Sequence, residues 1–133
     1  MDKTRVYRKG YLGLDKEIIA PNGNIYIGEN NSVGLAWSED YSLAGLSDQS
    51  VFVHEMTHVY QSRTLGCGRL CMGAKRLSNS NYDYNYVQGK LFSSYGLEEQ
   101  AAMVQDRFRL NNGLGHWRKN TSTLNQLNKA IPF

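Results

Sequence analysis

His54-Glu55-Met56-Thr57-His58 gathers two imidazoles and one carboxylate into a single short segment. In a helix, residues four apart share a face, so His54 and His58 can aim two nitrogen ligands at one zinc ion. Glu55 then stands beside the open coordination position, where a carboxylate acts as general base on a water molecule. The chemistry such a set supports is hydrolysis of an amide.

The flanks test the motif. Val51-Phe52-Val53 precede it and Val59-Tyr60 follow it. At about 100° per residue from Val51, the residues Phe52, Met56 and Val59 fall near 100°, 140° and 80°, whereas His54, Glu55 and His58 fall near 300°, 40° and 340°. The apolar stripe and the metal face point in roughly opposite directions. Such a helix is expected to bury one side in a core and offer the other to a cleft. The bland alternative is an amphipathic helix whose His and Glu merely face solvent. Against it, two of the three histidines in the chain stand at ligand spacing. The third, His116 beside Trp117, has no partner spacing and reads as a surface or packing residue.

A catalytic zinc usually takes three protein ligands and keeps the fourth position open. No HxxGxxH continues the motif beyond Val59-Tyr60-Gln61, so a carboxylate from another helix is expected as the third ligand. The segment Leu97 to Phe108, which follows Gly96, is strongly helical in pattern: Leu97, Ala101, Val104 and Phe108 recur at i, i+4, i+7 and i+11. Glu99 lies about 200° from Leu97, on the far side, and Glu98 about 100° away, at the border of the stripe. Glu98 is therefore the expected ligand, and Glu99 a solvated surface charge.

The two segments VFVHEMTHVYQ and LEEQAAMVQDRF together resemble the zincin-type, gluzincin-like metallopeptidase domains found at the C-termini of polymorphic toxins and type VI secretion effectors. In those domains the first segment has the form VFxHExxHVxQ and the second commonly reads I-E-Q-Q-A, its first glutamate serving as third ligand. That glutamate falls on Glu98, and Glu99 replaces a glutamine. The resemblance covers residues 51–61 and 97–108, extends to the tyrosine-rich run at 82–86, and is weak over residues 1–50. It implies a zinc-dependent peptidase of protein or peptide substrates, delivered into a target cell, with a cognate immunity protein as a partner.

Composition bounds the rest. A chain of 133 residues, 41% of them hydrophobic, is expected to form one domain, 1–133, around one core. The fold class expected is α+β: a minimal zincin-like fold pairing the HExxH helix and the glutamate helix with a small β-sheet. No apolar run is long enough for a membrane span, and the charged start lacks the apolar region of a signal peptide, so delivery is expected to depend on another system or a larger parent chain. The net charge of +3 is mild and its lysines and arginines are dispersed, which favours a solvated surface over a nucleic-acid groove.

Ile25-Tyr26-Ile27, after the turn Pro21-Asn22-Gly23-Asn24, reads as a short strand with Leu35-Ala36-Trp37 as its neighbour. Ile25 to Gly28 is a candidate edge for binding extended substrate, or else an ordinary core strand. Ser47 or Asp48 is expected to cap the first helix, which should run from about Ser50 to Arg63 before Gly66 stops it. Gly66 to Asn85 reads as a loop between the ligand helices. Cys67 and Cys71 lack the further ligands of a structural zinc site, and either a disulfide or two thiols fits their spacing. Among Tyr82, Tyr84, Tyr86 and Tyr95, one hydroxyl could serve as oxyanion donor, as could His116; the ordinary role of each tyrosine is to pack its ring and expose its hydroxyl.

Three functional classes follow: a protease toxin, a peptidoglycan peptidase acting in the periplasm, and a non-catalytic zinc-binding interaction module. The intact Glu55 weighs against the third, because a binding module has no need of a base.

Overall fold

Short apolar segments near the N-terminus build a small sheet; one long helix packs beneath it and a second packs against that helix. The computed structural model describes residues 3–20, 23–65 and 82–133. Three strands, β1 (Val6–Tyr7), β2 (Ile18–Ile19) and β3 (Ile25–Ile27), form a sheet in the order β1-β3-β2. β1 runs parallel to β3 with Val6 opposite Ile25, and β2 runs antiparallel with Ile18 opposite Ile27. Three helices follow among the described residues: α1 (Leu46–Thr64), α2 (Leu97–Asn111) and α3 (Leu124–Ala130). The architecture is α+β, and the long α1–α2 contact is its centre.

Period-two alternation in β3 sends Ile25 and Ile27 into the core and leaves Tyr26 on the outer face, where its ring stacks on Tyr7 at 4.8 Å. The inward side packs with Ala20, Leu35, Tyr41, Val51 and Val59. Phe52 and Met56 lie against the same cluster, so the apolar stripe expected on α1 is the stripe that meets the sheet.

Two strand expectations are corrected. Leu35–Trp37 forms no strand; Leu35 is instead held by Asn31, whose Nδ2 donates to the Leu35 carbonyl and whose Oδ1 accepts its N–H. Ile25–Gly28 is no free edge either, because β3 is the central strand with a neighbour on each side. Its ladder is already committed. Gly28 is required where it stands: a Cβ there would meet the Asp15 carbonyl oxygen at 2.0 Å.

α1 begins earlier than expected. Gly45 is its N-cap, with Ser47 and Asp48 inside the first turn, and the helix ends at Thr64. Asp48 sits where the amide dipoles favour a negative charge and Arg63 where they favour a positive one. Arg63 also donates to Thr4 Oγ1, tying the helix end to the N-terminal stretch. Gly66, Cys67 and Cys71 lie outside the described residues, and of the expected 66–85 loop only the irregular stretch from Tyr82 is described.

α2 is buried on nearly every side over its first ten residues. One flank faces α1, while Ala102, Met103 and Val104 pack with Tyr84, Phe92, Tyr95, Leu127 and Ile131. No described helix is long and apolar enough to cross a membrane.

Candidate metal centre

The α1–α2 interface carries the polar residues singled out by the sequence. His54, His58 and Glu98 are all buried, and their ligand atoms lie within 4.8 Å of one another. Nε2 of His54 and Nε2 of His58 each stand 3.1 Å from the same oxygen, Oε2 of Glu98. Among the described residues this is the group of His, Cys, Asp and Glu side chains that could hold a metal ion.

The hydrogen-bond network decides where the protons are. Gln100 Nε2 donates to the Tyr95 carbonyl, so its Oε1 is the atom turned toward Gln61. Gln61 must then present its amide nitrogen, which also donates to the Leu97 carbonyl, leaving its Oε1 as the acceptor 2.8 Å from His58 Nδ1. On the other ligand, Ser50 gives its one proton to the Ser47 carbonyl and accepts from Gln105 Nε2 and from an Arg109 nitrogen. Gln105 therefore presents Oε1 to His54 Nδ1, at 3.0 Å. Each chain of donors ends on a backbone carbonyl, which can only accept.

Both histidines thus carry a proton on Nδ1, and Nε2 is the nitrogen each turns toward Glu98. Two Nε2 atoms and one carboxylate oxygen converge on a single buried point. A buried trio at this spacing could hold a cation, and two nitrogens with one oxygen form a donor set that suits zinc. The residues fit the ion that the HExxH spacing implies.

Glu55 lies on the same face of α1, 6% exposed, and its Oε2 is buried without a hydrogen-bond partner. A carboxylate oxygen left bare in a protein interior is costly and is kept at sites where something must bind or react. The face of α1 that carries His54, Glu55 and His58 is therefore buried rather than the open cleft wall that its helical wheel implied. It is covered by α2, because both helices are buried on two sides.

Glu98, with 3% of its surface exposed, is well inside the edge of the buried face that the sequence placed it on. The wheel considered one apolar stripe, but Ala102 and Met103 make a second buried face on the opposite side of α2. Glu99 is also more than a solvated charge: its Oε1 accepts from the Gly96 N–H at 2.9 Å and closes the start of the helix.

The tyrosines separate by position. The ring of Tyr82 lies 5.7 Å from that of His54. Tyr84 is fully buried, donates to Asp106 Oδ2 at 2.7 Å, and shares a hydrogen bond with Ser122 Oγ, so its hydroxyl is internal rather than exposed. Burial, with the Asp106 carboxylate beside it, pushes the Tyr84 hydroxyl well above the usual tyrosine range. Tyr95 gives its hydroxyl to the backbone of Val87. His116 pairs through Nε2 with the Ser122 carbonyl, a structural contact. Gln61 and Gln105 were not singled out from the sequence. For Gln61 the available signal was the glutamine that closes the form VFxHExxHVxQ; for Gln105 it was only its place seven residues beyond Glu98.

No family model matches the chain. Over 109 residues, 78% of its length, the chain is 37% identical to the type VI secretion system spike protein VgrG2b of Pseudomonas aeruginosa, of which it spans 10%. The structure superposes on the solved effector domain of Pseudomonas aeruginosa VgrG2b with a TM-score of 0.70 at 32% identity, covering 95% of this chain and 67% of that one. The match reaches through nearly the whole fold that holds the metal-type site, and the chain belongs to the family of type VI secretion effector domains exemplified by that of VgrG2b.

Proposed function

We propose that the domain is a zinc-dependent peptidase that a type VI secretion system delivers into a target cell. The observation that carries this reading is the convergence of His54 Nε2, His58 Nε2 and Glu98 Oε2, beside the bare carboxylate oxygen of Glu55. Bound there, zinc supplies Lewis acidity that acidifies a water molecule and polarises a scissile carbonyl.

The remaining steps belong to the protein. His54, His58 and Glu98 hold the ion. Glu55 Oε2, with no competing donor, accepts the proton of the attacking water and returns it to the leaving amine. Tyr82, whose ring centroid lies 5.7 Å from that of His54, is the residue we assign to the developing oxyanion. A non-catalytic zinc module would have no use for a buried, unpartnered glutamate at this point. A cognate immunity protein that covers the site in the producing cell belongs to the same reading.

The test is digestion of two substrates in parallel: purified peptidoglycan sacculi and a denatured bacterial proteome. New protein N-termini in the second digest support a protease toxin. Released muropeptides in the first move the assignment to a periplasmic peptidoglycan peptidase. Neither product from zinc-loaded, folded protein removes the peptidase reading.

A further inference from the structure

The interior polar residues around the site are more than satisfied core groups, and the reason lies in which atoms they have left to offer. His58 is held by Gln61, which stands one turn along the same helix and is itself pinned by Leu97 and Gln100 of α2. His54 is held across the interface by Gln105 of α2, whose amide nitrogen returns to Ser50 of α1. Ser50 in turn accepts from Arg109 of α2. The lacing crosses between the helices repeatedly, and each imidazole is fixed only when both are docked.

Resting on the zinc reading above, we infer that Gln105 and Gln61 are positioning residues for the metal: each locks one histidine in the Nδ1-protonated form and aims its Nε2 at the ion. Both are amides. Acceptors of this kind orient an imidazole without adding charge, so the carboxylate of Glu98 remains the one anionic ligand and a bound dication keeps a net charge of +1. A carboxylate in the same position would strengthen the imidazole as a donor and partly neutralise the ion. A pair of glutamines therefore fits a site whose ion must stay strongly acidic.

The test measures zinc affinity by chelator competition on the full chain, together with the visible absorption of the cobalt(II)-substituted protein and the melting temperature of the metal-free form. Gln105→Leu removes the acceptor at nearly constant volume and should weaken zinc binding about 10- to 100-fold, with an altered cobalt spectrum. Gln105→Glu restores an acceptor beside Arg109 and should bind zinc at least as tightly as the wild type. Ser50→Ala leaves Gln105 in place but frees its amide; a smaller loss of affinity is expected, which keeps the inference testable should Gln105→Leu not fold. Ser122→Ala, in the separate Tyr84–Asp106 network, should lower the melting temperature while leaving zinc affinity and the cobalt spectrum unchanged. Wild-type affinity and an unaltered spectrum in Gln105→Leu would overturn the inference alone, as would an equal loss of affinity in Ser122→Ala. A wild-type chain that binds no zinc removes the peptidase reading and this inference with it.

Discussion

His58 Nε2 and Glu98 Oε2 stand 3.1 Å apart although 40 residues of chain separate them. Neither could be held so in a flexible polypeptide, because both are stripped of water and lose the freedom to move. The energy of that juxtaposition must come from helix packing and, in the reading proposed above, from a shared ion.

Metal content should follow from this geometry. Glu98→Ala is expected to lose zinc by elemental analysis of the purified protein. Glu99→Ala is expected to keep zinc but to lose the Gly96 contact, costing roughly 1 kcal/mol of stability. Zinc retained by Glu98→Ala and lost by Glu99→Ala would reverse the assignment.

Removing the ion should destabilise the fold. The unfolded chain has no preformed site, so a ligand present at about 100 times its dissociation constant contributes roughly 2.7 kcal/mol. Chelation should lower the melting temperature, and adding zinc back should restore it. An unchanged melting curve after verified zinc removal would mean that packing alone holds α1 against α2.

Glu55→Gln should abolish hydrolysis while zinc and fold are retained. Loss of a general base typically costs about 10²–10⁴-fold in rate; because the same carboxylate returns the proton to the leaving group, the upper end is expected. Any toxicity on expression should disappear with it. A folded, zinc-loaded Glu55→Gln protein that cleaves at the wild-type rate would sink the mechanism.

Tyr84 should make the fold sensitive to alkali. Burial and Asp106 raise its folded pKa above the ordinary value of 10.0, so it stays protonated when folded and ionises first when unfolded. Its contribution is complete below pH 10 and is lost as pH rises from there toward the folded value. Denaturant titrations of wild type should show stability falling above pH 10 by up to about 1.4 kcal/mol per pH unit more steeply than in Tyr84→Phe. Parallel pH profiles for the two proteins would count against it. At neutral pH, Tyr84→Phe leaves Asp106 Oδ2 short of its donor and should cost about 1–3 kcal/mol.

Sequence alone determined the parts that depend on local spacing. Two histidines one turn apart, an adjacent glutamate and an opposed apolar stripe are properties of a single helix, and Phe52, Met56 and Val59 pack with the core cluster under the sheet as that periodicity requires. That Glu98 rather than Glu99 would face the two histidines was legible for a similar reason: adjacent residues on a helix point about 100° apart, so only one can face a given partner.

What tertiary structure decided is everything set by the second neighbour of an element. β3 became a central strand rather than a binding edge because β1 and β2 reached it from either side, and a three-residue strand carries no mark of how many partners it will have. The metal face of α1 became an interior because α2 is buried on opposite faces, one of them invisible to a single-stripe wheel. Gln61 is turned toward His58 by Leu97 and Gln100, 36 and 39 positions away, and Gln105 reaches His54 and Ser50 from 51 and 55 positions away. The glutamine amide can serve as donor or acceptor; which end it offers to a histidine is decided by the carbonyls and hydroxyls that packing places around it.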